Sequence, residues 1–162
     1  MKLKARQEDA PAYSALIEDE EGVIDRALQI LERRVNTASV LDSPRSVKDY
    51  LCLRAAGLQH EQFCCLWVDQ HHRPINYEVM FRGTLAQTSV YPREVVKRAL
   101  LLNAAAVIFS HNHPTGSPEP SRADEHLTRT LKCALDLIDV RVLDHIVTGA
   151  HRAVSFAERG LL

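Results

Sequence analysis

Apolar and polar positions along this chain fall into blocks whose period switches between about 3.6 and 2. The most continuous apolar block is Ala104 to Phe109. It is short, contains Val107, Ile108 and Phe109, and ends in polar residues, so it predicts a buried strand. Helical spacing flanks it. Val95, Val96, Ala99 and Leu100 follow Pro92 and predict a helix from Pro92 to about Asn103 with those four side chains inward. Leu127, Leu131, Ala134, Leu135 and Ile138 predict another that starts at Ser121. Upstream, Phe63 to Val68 reads as a strand. Ile75 to Phe81 reads as a half-buried partner in which Tyr77, Val79 and Phe81 alternate, and the polar turn Asp69-Gln70-His71-His72-Arg73-Pro74 makes the two a hairpin.

Ser43-Pro44 breaks the chain before a further helix, with Ser46-x-x-Asp49 as its cap, Val47, Tyr50, Leu51 and Leu53 as its apolar positions and Gly57 as its stop. Earlier still, Met1 to about Glu21 is a polar arm. From Gly22, the positions Val23, Ile24, Ala27, Leu28, Leu31 and Val35 give an amphipathic helix that packs on the main domain or on a second copy, leaving a homo-oligomer open. After the Ser121 helix come a strand from Arg141 to Val147, a turn at Gly149 and a short strand at Val154-Ser155-Phe156, with Leu162 closing the chain. The implied order is helix, two strands, helix, strand, helix and further strands. That is an α/β arrangement, a mixed sheet flanked by helices.

Composition narrows the class without changing the fold. At 162 residues, 46% apolar and 25% charged, the chain supports one soluble globular domain with a real core. A net charge of -1 and a pI near 6.7 supply no global field to attract DNA or an acidic membrane. No apolar stretch approaches the roughly 18 residues of a membrane span, and the N-terminus lacks the apolar core of a signal peptide, so the expected location is cytoplasmic. Cys52, Cys64, Cys65 and Cys133 show no CxxC spacing and read as small core residues, with the adjacent Cys64 and Cys65 pointing to opposite faces of a strand.

Candidate chemistry gathers where the apolar strand ends. His111 and His113, two apart on extended backbone, point to the same side while Asn112 faces away. A proline- and glycine-bearing loop leads to Ser121, and Asp124 falls in the first turn of the next helix. Two neutral imidazoles and one carboxylate suit zinc, and three protein ligands leave the fourth tetrahedral position for water. Ser121-x-x-Asp124 also reads as a capping box with Asp in place of Glu. His145, in the later pair Asp144-His145, is an alternative third ligand, or else orients a ligand or links strands. His71-His72 diverge in their turn and read as solvated, as do His126 and His151.

The pattern His111-x-His113-Pro114, six residues, Ser121-x-x-Asp124 resembles the JAMM motif of MPN-domain metallopeptidases. The surrounding Ser110-His111-Asn112-His113-Pro114-Thr115-Gly116 and Pro120-Ser121 resemble the RadC family in particular. The likeness continues through Phe81-x-Gly83-Thr84-Leu85, Pro92-Arg93-Glu94, Asn103-Ala104-Ala105-Ala106, Asp144-His145-Ile146 and Ser155-Phe156-x-Glu158-x-Gly160, over about residues 40 to 162. The resemblance implies an MPN (JAB/JAMM) domain of cytidine-deaminase-like architecture over residues 41–162. Residues 1–40 form an arm and helix before it, in a short form without the helix-hairpin-helix module of longer members.

The same resemblance implies Zn²⁺ held by His111, His113 and Asp124. It places a catalytic glutamate just before a phenylalanine-bearing strand, where Glu61 precedes Phe63. Glu94 is the rival, although after Pro92 it also reads as an acid favoured by a helix N-terminus. Ser121 would then hydrogen-bond the oxyanion of the reaction, or only cap its helix. The expected activity is zinc-dependent hydrolysis of a peptide or isopeptide bond in an unidentified protein or peptide. Two other readings remain: a DNA-repair or mobile-element accessory protein, which the charge does not support, and a non-catalytic MPN interaction module.

Overall fold

The computed structural model describes residues 22–30, 33, 44–83, 89–150 and 152–162. The arm Met1 to Glu21, together with Leu31, Val35, Ser43, Thr84, Leu85 and His151, lies outside the described residues. Residues 22–30 are helical, with Val23 and Ile24 exposed.

The continuous apolar run becomes the central strand β3 (Ala106–Asn112), buried along its whole length because helices cover both faces of the sheet. It pairs on one side with β1 (Gln62–Val68), antiparallel and in register Phe63 to His111, and on the other with β4 (Arg141–Thr148), parallel. β2 (Pro74–Arg82) extends the sheet beyond β1 and β5 (Ala153–Ser155) beyond β4, giving the order β2-β1-β3-β4-β5. The sheet is mixed, as the block pattern implies.

Alternation divides the core between two faces. Phe63, Cys65, Trp67, Val107 and Phe109 meet α2 (Pro92–Leu101) and α3 (Arg122–Asp136), which supply Val95, Ala99, Leu131 and Leu135. Leu66, Val68, Ala106 and Ile108 meet α1 (Pro44–Ala55) through Val47, Tyr50 and Leu51. A short α4 (Phe156–Arg159) follows β5, buries Phe156 and ends at Gly160.

Four sequence expectations shift. The α1 helix starts at Pro44, so Ser46 lies inside its first turn and not at its cap. Val79 is 48% exposed, because a register shift between Phe63 and Cys64 breaks the alternation of β2 and turns Met80 and Phe81 onto the core. Leu100 is 59% exposed, since Val95 and Ala99 already fill the inward stripe of α2. Cys133 is exposed on α3, whereas Cys64 and Cys65 are buried on opposite faces and their thiol pKa values are raised by burial.

Candidate metal centre

The strand continues past its apolar run and carries His111 to its end, and His113 begins the loop beyond it. That loop is seated on the turn between β4 and β5 by backbone bonds. His113 N–H donates to the Thr148 carbonyl at 2.9 Å, and Ala150 N–H donates to the Gly116 carbonyl at 3.0 Å. A side chain at Gly149 would put its Cβ 2.3 Å from the Gly116 oxygen, so only glycine lets the loop approach this closely. Gly116 itself has φ +86°, a left-handed conformation.

From the other side, α3 delivers Asp124. The capping box is formed: Asp124 N–H donates to Ser121 Oγ at 3.2 Å, and Ser121 N–H donates to Asp124 Oδ2 at 2.7 Å. The Ser121 hydroxyl donates to the same Oδ2 at 2.6 Å. Capping and site-building are thus one device, because the cap aims the carboxylate at the histidines.

His111 Nε2 lies 3.0 Å from His113 Nε2 and 3.3 Å from Asp124 Oδ1, and His113 Nε2 lies 3.6 Å from Asp124 Oδ2. A tetrahedral ion with bonds of about 2.0–2.1 Å has its ligand atoms about 3.3 Å apart. The three groups therefore fit a metal ion, and among the described residues they form the one cluster of its kind.

Hydrogen bonds behind the histidines assign their protons. The Thr128 hydroxyl donates to the Asp124 main-chain carbonyl at 2.6 Å, so its oxygen must accept from His145 Nδ1–H, also at 2.6 Å. His145 is fully buried, and burial holds its pKa well below the ordinary histidine value. Being neutral, its Nε2 accepts from His111 Nδ1–H at 2.8 Å, which leaves the His111 Nε2 lone pair facing the cluster. His113 Nδ1–H donates to the Ser117 carbonyl at 2.8 Å, with the same consequence. Two lone pairs facing each other at 3.0 Å need a proton or a cation between them.

Charge follows from this geometry. Burial raises the Asp124 pKa, but hydrogen bonds with His111 and His113 when their Nε2 atoms carry protons, the His111 charge and the Ser121 hydroxyl outweigh burial and hold the carboxyl far below the carboxylate range. The His113 pKa is raised, first by its hydrogen bond to Asp124, with the charge of Glu61 adding to the effect.

Glu61 immediately precedes β1. Residue alternation puts it on the face of Phe63, which stacks on His111 with ring centroids 6.5 Å apart. Glu94 instead pairs with Lys97 at 2.9 Å and does not join the metal cluster. His145 lies behind His111 and not beside the ligand cluster. Asp144 ties β4 to α4, accepting from the Ser155 hydroxyl at 2.6 Å and from Ala157 N–H at 3.0 Å. His71, His72 and His126 are exposed. A cleft of about 290 Å³ opens beside His113, lined by small residues such as Gly57, Gly116 and Ala150. A second cavity, about 210 Å³, lies under α1 and touches none of the three cluster residues.

Sequence reasoning passed over Thr128. Its signal was a polar residue on the inward face of α3, between Leu127 and Leu131.

A mixed sheet with helices on both faces, carrying such a cluster at the end of its central strand, defines a JAB, or MPN, domain. The family model for the RadC-like JAB domain matches residues 41–161, and the chain belongs to that family. It is 59% identical over 142 residues to a UPF0758 protein of Leptothrix cholodnii, covering 88% of this chain and 64% of the relative. It is 59% identical over 140 residues to one of Methylibium petroleiphilum, covering 86% and 63%. With one of Nitrosomonas eutropha it shares 56% over 142 residues, covering 88% and 63%. The chain thus spans less than two thirds of the length of these relatives. Among the described residues no helix is long and apolar enough to cross a membrane.

Proposed function

We propose that this chain is a zinc-dependent hydrolase of peptide or isopeptide bonds. The observation that carries the reading is the convergence of the His111 and His113 Nε2 lone pairs on the Asp124 carboxylate, with each histidine's other nitrogen already committed as a donor. When bound there, zinc acts as a Lewis acid that lowers the pKa of water and polarises a carbonyl. Glu61 accepts the proton of the attacking water as the new C–O bond forms, and returns it to the leaving nitrogen as the C–N bond breaks. Its side of the strand and its effect on His113 support that assignment. Ser121 holds Asp124 in place and, by turning its hydroxyl from Oδ2, donates to the developing oxyanion. The free thiols agree with a reducing, cytoplasmic setting.

Elemental analysis of the purified protein tests the site, with folding followed by circular dichroism. About one zinc per chain is expected, lost in Asp124→Asn and retained in Glu61→Gln. Zinc-loaded native protein should cleave members of a mixed set of synthetic peptides and isopeptide-linked pairs that Glu61→Gln leaves intact. A folded native protein that stays metal-free after incubation with zinc would sink the hydrolase reading and leave an interaction module. Salt-dependent binding to duplex DNA in place of hydrolysis would favour the repair-accessory reading.

A further inference from the structure

Between the two histidines of the cluster stands Asn112, only 5% exposed and on the opposite side of the strand. Its side chain does not reach the ligand cluster. It reaches across to β1 and clamps the backbone on both sides of Glu61. Gln62 N–H donates to Asn112 Oδ1 at 2.8 Å, and Asn112 Nδ2 donates to the His60 carbonyl at 2.9 Å. Only one orientation of the amide satisfies both bonds, so its nitrogen and oxygen are assigned by their partners. A third bond, from Gly83 N–H to the Glu61 carbonyl at 2.9 Å, pins the same residue from the β2 side. The side chains of His60 and Gln62 meet each other at 2.8 Å. As residues two apart on extended backbone they share a side, which leaves Glu61 facing the other way, with Phe63 and His111.

We infer that Asn112 is a positioning residue that sets Glu61 against the metal centre. One strand end thus carries two functions in three residues: His111 and His113 present ligands on one side, while Asn112 on the other fixes where the neighbouring strand delivers its carboxylate. β1 begins at Gln62, so Glu61 lies just outside the strand, and the two Asn112 bonds add to the Gly83 backbone bond in placing it. The inference rests on the proposed role of Glu61, and its test separates the two.

The probe is Co²⁺ bound to the full chain, read by the paramagnetic NMR shifts of the Glu61 side chain and of the His111 and His113 rings. In the native protein all three residues should be shifted. In Asn112→Ala the Glu61 shift should fall by at least about half, while the ring shifts persist and Co²⁺ affinity stays within about threefold. Loss of a residue that orients a metal ligand would instead weaken affinity by about 10–100-fold. Asn112→Ser, whose hydroxyl can replace one bond but not both, should be intermediate.

Retention of the full Glu61 shift in both variants overturns the role of Asn112 alone and leaves Glu61 in place. An unshifted Glu61 in the native protein, or a native protein that binds no cobalt, removes the catalytic reading and this inference with it. Failure of both variants to fold assigns Asn112 to the fold and overturns its positioning role.

Discussion

Two pairs of histidines occupy opposite ends of the same sheet. His111 and His113 stand at the end of β3, two residues apart on extended backbone, with their Nε2 atoms 3.0 Å from each other. His71 and His72 stand in the β1–β2 turn, adjacent in sequence and both exposed. At the turn, Asp69 does the structural work. Its carboxylate accepts from His71 N–H at 2.8 Å and from Arg73 N–H at 2.9 Å, and the Arg73 side chain holds its pKa down to about 2. His72 takes a left-handed φ of 60° and meets Arg141 across 3.3 Å of exposed surface. One pair lends its backbone to a turn. The other has every outer nitrogen bonded and every inner one directed at a common point. The difference lies in the support behind the rings, not in the residue type.

Exchanging ligands breaks the comparison most completely. His113→Ala and Asp124→Asn should each lose stoichiometric metal through gel filtration, whereas the double variant His71→Ala, His72→Ala should retain it, as elemental analysis will show. Retention of metal by both cluster variants would place the site elsewhere.

Support should matter next. His145→Leu removes the acceptor that keeps the proton on His111 Nδ1 while refilling a buried site, so zinc affinity should fall about 10–100-fold with the fold preserved. Competition with a chromophoric chelator measures this. The loop seat is tested by Gly149→Ala, whose Cβ would press on the Gly116 backbone. Displacing that loop should lower stability by about 1–3 kcal/mol in urea unfolding and weaken zinc binding along with it.

Acid sharpens the comparison in the metal-free protein. Because His145 is held neutral, the unfolded chain gains a proton there below about pH 6.5 that the folded protein refuses, and stability falls with pH by up to about 1.4 kcal/mol per unit. His113 has the opposite sign. Its raised pKa gives a contribution that is full below about pH 6.5 and fades as pH rises through the folded value. Urea unfolding should show a shallower acid loss below about pH 6.5 in His145→Leu, whereas His113→Ala should lack the fade in stability that its histidine gives as pH rises above about 6.5. The smallest effects close the series. Ser121→Ala should cost about 1 kcal/mol through loss of its cap, and the double variant at His71 and His72 should stay within about 0.5 kcal/mol of native.

The chain by itself determined what depends on short range. The apolar run specified a doubly covered central strand, spacing of two set both imidazoles on one side, and the helix start at Ser121 put Asp124 in a first turn. Each of these is a local consequence of backbone period, and none needs a distant partner.

Only the tertiary structure decided what stands behind them. His145 faces the cluster because a register shift between Val107 and Ile108 inserts Leu143 into β4 and reverses the alternation, which turns His145 toward Phe63 and Phe109. Asn112 reaches residues that lie 50 and 52 positions away in the chain, and Gly149 is needed because a loop more than thirty residues earlier is folded against it. Val79 and Leu100 failed the simple periodic reading for the same reason, one through a bulge and one through a stripe already filled. Local periods specify where a side chain starts. Bulges, pairings and close approaches between distant segments specify what it meets, and those are properties of the assembled sheet.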